Sequence, residues 1–143
     1  MRTIGFAFST THLRCVVFDG DIGSPAFVDK VKLSIPADHS VPQCAVWLEM
    51  QIGQIIHRFE PDKVGYKLDY QATSYKMIYT TFAAVTILNL LAEKGTIFVE
   101  GFTAQSIKSS KFGVKTDKSL QKIPDWDASM RDAAAVSLLL MRT

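Results

Sequence analysis

The chain has 143 residues, of which 48% are hydrophobic and 21% are charged, and its formal net charge is +2. These values are typical of a soluble globular protein and predict a single domain, residues 1–143. Strongly basic domains indicate a nucleic-acid partner, but this chain is only mildly basic, so charge alone does not indicate one.

Neither a membrane span nor a secretory signal is predicted. The longest apolar stretch, residues 82–92, is about half of the ~20 residues that cross a bilayer, and the N-terminus lacks the apolar run of a signal peptide. Cys15 and Cys44 are too few for a disulfide framework, so we expect two buried free thiols. A reducing cytoplasmic location, without a membrane partner, is therefore expected.

Three antiparallel strands are predicted in the first part of the chain. Residues 4–8 alternate bulky and small side chains, which gives the first strand one bulky face and one small face. After a polar break, residues 13–18 form a β-rich run that ends at the turn signal of residues 19–21. Residues 26–33 alternate again and complete the set.

Helices and strands alternate over the rest of the chain. Apolar residues at steps of three and four predict a helix over 41–59, capped by Ser40. Short β-rich runs at 63–68 and 96–100 predict a fourth and a fifth strand. The long helix between them, ending near residue 93, is apolar on most sides and is expected to be well covered. Three helical segments are predicted after the fifth strand, at 104–111, 117–122 and 128–141.

The order of these elements predicts an α/β fold with a mixed five-stranded sheet. Three antiparallel strands followed by parallel crossovers place helices on both faces of the sheet. This is the ribonuclease-H-like order. A flavodoxin-like sheet would need helices between the early strands, and the chain has no room for them there.

The C-terminal half resembles the RuvC family of Holliday junction resolvases. The resemblance is carried by the order and spacing of four segments, Val-Glu-Gly-Phe-Thr-Ala-Gln-Ser-Ile-Lys at 99–108, Lys-Phe-Gly at 111–113, Asp-Lys-Ser-Leu at 117–120 and Ser-Met-Arg-Asp-Ala-Ala-Ala-Val at 129–136. It covers residues 96–140 best and the rest of the chain loosely. The resemblance implies the fold of a nuclease whose activity depends on divalent metal ions. It also implies a homodimer.

The resemblance also implies where the catalytic acids of such a nuclease would lie. The aspartate of the first strand falls on Ala7, the glutamate of the fourth strand on Lys67, and the two acids of the last helix on Ser129 and Asp132. Mg²⁺ is held by hard oxygen ligands, usually including one or two carboxylates, so Asp132 alone would hold it weakly. We expect Lys67 to pair with Asp132. The alternative is that Lys67 points into solvent at a strand end.

Other acids offer a rearranged metal site. Asp69 shares the face of Lys67 on an extended strand, and Asp127 lies just before the last helix. With Asp132 they would form the catalytic set of an active Mg²⁺- or Mn²⁺-dependent endonuclease. Asp69 is otherwise a loop carboxylate and Asp127 a helix cap. Glu100, at the end of the predicted fifth strand, is a further acid near this edge.

A group of lysines follows the fifth strand at steps of three and four. Its members are Lys108, Lys111, Lys115, Lys118 and Lys122. Together they predict a surface for nucleic-acid phosphates, with salt-sensitive binding. The alternative is the solvated face of a surface helix.

Other chemical signatures are weak. The three histidines lack metal-ligand spacing, and the chain has no phosphate-binding loop of the Walker type, so no cofactor is expected for an inactive protein. Residues 9–11 lie where actin-like ATPases bind phosphate, but the glycines and aspartate of that loop are missing. Three functions remain open. They are a catalytically degenerate protein that binds structured DNA or RNA, a nuclease with a rearranged acid set, and a protein-interaction module.

Overall fold

A computed structural model describes residues 1–68, 75–95, 97–109 and 128–142. The strands are β1 (Arg2–Phe8), β2 (His12–Asp21), β3 (Ser24–Ser34), β4 (Lys63–Leu68) and β5 (Phe98–Thr103). The helices are α1 (Val41–Phe59), α2 (Tyr75–Gly95), α3 (Ala104–Ser109) and α4 (Arg131–Leu140), with a 3₁₀ turn, Ala128–Met130, leading into α4.

These strands form one mixed five-stranded sheet in the order β3-β2-β1-β4-β5. The pairs β1–β2 and β2–β3 are antiparallel, whereas β1–β4 and β4–β5 are parallel. The predicted α/β class and mixed sheet are therefore confirmed. Helices α1 and α2 cover one face of the sheet, and α4 covers the other.

Several element boundaries differ from the predicted ones. The turn after β2 lies at 22–23, because the predicted turn residues 19–21 pair with β3 instead. The fifth strand occupies Phe98–Thr103 rather than 96–100, because its pairing follows β4 along its whole length. The last helix is regular only from Arg131, after the 3₁₀ turn.

The two faces of the sheet are packed differently. Large aliphatic and aromatic side chains of the sheet, such as Ile4 and Phe6, are fully buried against α1 and α2. On the other face, the backbone of α4 lies directly on β1. A Cβ atom placed on Gly5 would be 2.0 Å from the carbonyl oxygen of Ala133, so only glycine permits this approach. The bulky residues of β1 thus pack into a thick core on one face of the sheet, and its small residues allow a close helix contact on the other.

Helix α1 has the predicted bounds and the predicted cap. The Ser40 hydroxyl accepts a hydrogen bond from the Gln43 N–H at 3.3 Å, and the Gln43 side chain accepts one from the Ser40 N–H at 2.9 Å. Helix α2, in contrast, is less covered than predicted. Its apolar Phe82 and Leu90 are 67% and 55% exposed. Within the described ranges, no helix is long and apolar enough to cross a bilayer.

Both cysteines are buried free thiols, as predicted. Burial in the core raises the pKa of Cys15 to about 12, because the thiolate would lose its hydration there. The Cys15 thiol is therefore neutral at physiological pH and acts as a small apolar side chain.

Candidate functional site

Three neighbouring strands place Arg14, Ala7 and Lys67 in one row across the sheet. Ala7 of β1 lies directly opposite Arg14 of β2. The β1–β4 register runs to the pair of Phe6 and Tyr66, so the next position aligns Ala7 with Lys67. Residues opposite each other on paired strands project from the same face. This row faces α4, since Gly5, two residues before Ala7, contacts that helix.

The start of the last helical segment lies over this row. Ser129 belongs to the 3₁₀ turn and Asp132 to the first turn of α4, so the two residues are about one helical turn apart. The four positions to which the family resemblance assigns acids, Ala7, Lys67, Ser129 and Asp132, are thereby brought together. Each of them belongs to a strand or to a helical turn.

Lys67 and Asp132 form an ion pair. The Lys67 Nζ atom lies 2.7 Å from Asp132 Oδ2, and the two side chains are 30% and 38% exposed. The pairing expected from the sequence is therefore present, and the alternative of a Lys67 side chain alone in solvent is wrong. At this partial exposure the pair is screened by water, so its contribution to stability is modest.

Arg14 is a member of the site that the sequence prediction missed. Its Nε donates a hydrogen bond to Ser129 Oγ at 2.9 Å, and its Nη1 donates one to Ser9 Oγ at 3.2 Å. The ion pairs among the described residues join other side chains, and no described carboxylate pairs with Arg14. The guanidinium group is thus held by two neutral hydroxyls, and no described carboxylate offsets its positive charge.

The described residues at this position do not fit a divalent metal ion. Asp132 is the one carboxylate that the row and the start of α4 contribute, and it is already bonded to Lys67. No group of three histidine, cysteine, aspartate or glutamate side chains with metal-binding geometry occurs among the described residues. Two cations beside a single paired carboxylate repel a divalent cation, which needs several oxygen ligands of its own.

Glu100 takes part in none of the hydrogen bonds or ion pairs described for this group of side chains. It lies within β5 opposite Gly65 rather than at the strand end, because β5 continues to Thr103. Its Oε2 atom is buried and has no hydrogen-bond partner among the described residues. Glu100 is therefore a partly buried acid of the α4 face, two residues along β5 from the position that pairs with Lys67.

Most of the predicted lysine surface and two of the predicted rescue acids lie outside the described residues. These are Lys111, Lys115, Lys118, Lys122, Asp69 and Asp127. Lys108 is described, and it is exposed in α3. Helix α3 packs on α4 through Ile107, so Lys108 is carried by an element that is fixed to the site helix.

Comparisons with known proteins agree with this architecture. No protein-family model matches the chain. The crossover junction endodeoxyribonuclease RuvC of Akkermansia muciniphila is 23% identical over 150 residues, covering 96% of this chain and 89% of that protein.

Solved structures give a closer match in fold than in sequence. Thermus thermophilus RuvC in complex with a Holliday junction superimposes with a TM-score of 0.78 at 14% identity, covering 96% of this chain and 91% of that one. The yeast mitochondrial Holliday junction resolvase Ydc2 gives 0.71 at 12% identity, covering 98% and 77%. The fowlpox virus resolvase gives 0.63 at 11% identity, covering 99% of each chain. The chain therefore has the ribonuclease-H-like fold of the RuvC-type Holliday junction resolvases.

Proposed function

We propose that this protein binds structured or branched nucleic acid on a resolvase-like scaffold without cleaving it. The observation that carries the proposal is the Lys67–Asp132 ion pair of 2.7 Å at the position where the resemblance implies metal-binding acids. Metal-dependent phosphodiester hydrolysis needs a carboxylate cluster that holds the ions and the attacking water. A lysine bonded to the remaining carboxylate removes that negative charge.

The remaining charge at the site favours phosphate. Arg14 and Lys67 supply two positive charges, and Asp132 supplies one negative charge. A net positive surface attracts the nucleic-acid backbone and releases its counterions. Structures with the same fold include RuvC and the fowlpox virus resolvase in complexes with Holliday junction DNA, which makes a four-way junction the first substrate to test.

Exposed lysines would extend this surface. Lys108 projects from α3, and Lys111 and Lys115 continue the spacing in sequence. Each phosphate that a lysine neutralises adds about −0.9 to the slope of log binding constant against log salt on duplex DNA. We therefore expect junction binding to weaken steeply with salt.

Fluorescence anisotropy with labelled four-way junction, duplex and single-stranded DNA, each at two salt concentrations, tests the proposal. The variant K108Q/K111Q/K115Q should bind the junction about tenfold more weakly, with a shallower salt slope. R58Q/K76Q/K94Q removes the same number of charges from α1 and α2, on the other face of the sheet, and should bind like the wild type. Absence of wild-type binding to every one of these DNAs at low salt would overturn the proposal.

A cleavage assay separates this proposal from the nuclease alternative. The same junction is incubated with Mg²⁺ and with Mn²⁺, and we expect intact strands. Metal-dependent cleavage that is lost in D132N would instead support a rearranged catalytic set of Asp69, Asp127 and Asp132. D38N, a surface change of equal charge, is the matched control for that variant.

A second proposal concerns assembly. A groove between α1 and α2 is lined by Val46, Met50, Leu90 and other residues, and these three apolar side chains are 65%, 50% and 55% exposed. Exposed apolar surface of this kind marks an association site. We propose that a second copy of the chain covers it. Sedimentation velocity should show a dimer for the wild type and a monomer for M50E/L90E. A wild-type monomer at high concentration would contradict this.

A further inference from the structure

We propose that the row of Arg14, Ala7 and Lys67 holds one backbone phosphate of the bound nucleic acid, with Arg14 as its main contact. The inference rests on the nucleic-acid binding proposed above and assigns it a defined site. A phosphate anion would then occupy the place of the metal cluster implied by the fold family. The argument depends on the unused donors of Arg14, on the small side chain between the two cations, and on the local charge.

Arg14 is held in place but keeps hydrogen-bond donors for a ligand. A guanidinium group has five N–H donors in a fixed plane. Two of its nitrogens contact the hydroxyls of Ser129 and Ser9, and Nη2 makes no such contact with a described residue. The Arg14 residue is only partly buried, so solvent reaches it. A planar, positioned guanidinium is well suited to bind a phosphate through two parallel hydrogen bonds.

Ala7 places a small, uncharged side chain between the two cations. Neighbouring strands are about 4.8 Å apart, so the Cα atoms of Arg14 and Lys67 are separated by roughly 10 Å with Ala7 midway. An acidic side chain at this central position would place a negative charge between the two cations and pair with Arg14. Ala7, which is partly exposed and packs at the margin of the α4 core, carries no charge, so an anion that reaches the two long side chains meets no carboxylate from β1.

No carboxylate in the described part of the chain offsets the charge of Arg14. Arg2, on β1 at the other end of the same hairpin, forms a two-pronged contact with Asp19 at 2.7 and 2.9 Å and also donates to the Phe59 carbonyl. A purely structural arginine is neutralised in this way. Among the described residues Arg14 donates only to hydroxyls, which any donor would satisfy, so its charge points to an anion that binds from outside.

A double-mutant cycle that combines protein variants with chemically modified DNA tests this site. A set of four-way junctions is made, each with one phosphate near the branch point replaced by an uncharged methylphosphonate. R14Q should bind the unmodified junction about tenfold more weakly, as for the loss of a charged hydrogen bond. On one or two adjacent modified junctions, R14Q and wild type should bind equally, because the contact is already lost.

Two further variants provide the controls. R2Q removes the same charge at the other end of the hairpin and should bind every junction like the wild type. R14K keeps the charge without the planar donor group and should lose less affinity than R14Q while retaining the position-specific effect. Circular dichroism and thermal melting confirm that each variant is folded before binding is measured.

The outcomes separate this inference from the proposed function. The inference is supported if R14Q binds as well as the wild type only on junctions that carry a methylphosphonate at one or two particular positions. An R14Q effect that is equal at all phosphates, or absent, overturns it, while junction binding by the wild type still supports the proposed function. Absence of wild-type junction binding overturns both.

Discussion

The two ends of the β1–β2 hairpin use arginine in opposite ways. At the first end, Arg2 binds the Asp19 carboxylate through two nitrogens, and its backbone N–H donates to Asp62 at 2.7 Å. At the second end, Arg14 donates to the hydroxyls of Ser9 and Ser129. We call the Arg2 end the closed end, because a carboxylate offsets the charge of its arginine. We call the Arg14 end the open end, because no described carboxylate does so there.

The comparison teaches how a structural charge differs from an available one. At the closed end, the Asp19 carboxylate raises the pKa of Arg2, and the guanidinium in turn lowers the pKa of Asp19, so each stabilises the charge of the other. At the open end, Lys67 and Arg14 have a single described carboxylate, that of Asp132, between them. Only the open end has positive charge left for a ligand.

The largest expected effect is on the free energy of unfolding, and it comes from the contact of Gly5 that lets α4 lie over the sheet beside the open end. Gly5, between the two ends, lets α4 lie on β1. A Cβ atom there would be 2.0 Å from the Ala133 carbonyl oxygen and 2.6 Å from the Ser137 backbone nitrogen. Because backbone atoms cannot rotate away, G5A should lower the free energy of unfolding by about 3 kcal/mol or more. Urea denaturation measures this loss.

Gly53 provides the matched control for that change. It lies inside α1, and a Cβ atom there meets nothing within 4 Å. G53A should leave the protein equally stable or stabilise it by up to about 1 kcal/mol, because alanine favours the helix. If G5A proved as stable as G53A, the close approach of α4 to Gly5 would be contradicted.

An intermediate effect is expected from Asp132, whose carboxylate offsets the positive charge of the open end. D132N removes that charge and releases Lys67 toward the nucleic acid. The affinity for a four-way junction at low salt should therefore rise several-fold, on the order of one added phosphate contact. D19N, the same chemical change at the closed end, should leave junction affinity unchanged. Fluorescence anisotropy measures the junction affinity of both variants. Weaker binding by D132N than by the wild type would contradict the claim that the open end binds phosphate through its positive charge.

The fold could be predicted from the sequence because local patterns agreed with it. The alternation of residues 4–8 defined the two faces of β1, and the spacing over 41–59 together with the Ser40 cap defined α1. The pair of Lys67 and Asp132 was also predictable, since a lysine and an aspartate fell on positions that the resemblance brings together.

The role of Arg14 was not predicted because it depends on strand register. Its signal was present, since a turn at 9–12 that pairs Phe8 with Leu13 also pairs Ala7 with Arg14. A position within a β-rich run does not by itself show which side chain stands opposite the site. The length of β5 was missed for a similar reason, because its end is set by pairing with β4.

The smallest expected effect is the pH dependence of the closed end. Arg2 holds the pKa of Asp19 below its usual value, so the folded protein keeps this carboxylate ionised at lower pH than the unfolded chain does. The stabilisation is complete above the ordinary aspartate pKa of about 3.9 and is lost as pH falls through the lower folded value. In thermal melts, the wild type should exceed D19N by a small constant margin from neutral pH to about pH 5, and the margin should vanish in stronger acid. Because the Arg2 and Asp19 side chains are 33% and 41% exposed, added salt should also shrink this margin. A margin that grew toward acid pH would mean that Asp19 is destabilising in the folded protein, and the closed end would then lack the ion pair that distinguishes it from the open end.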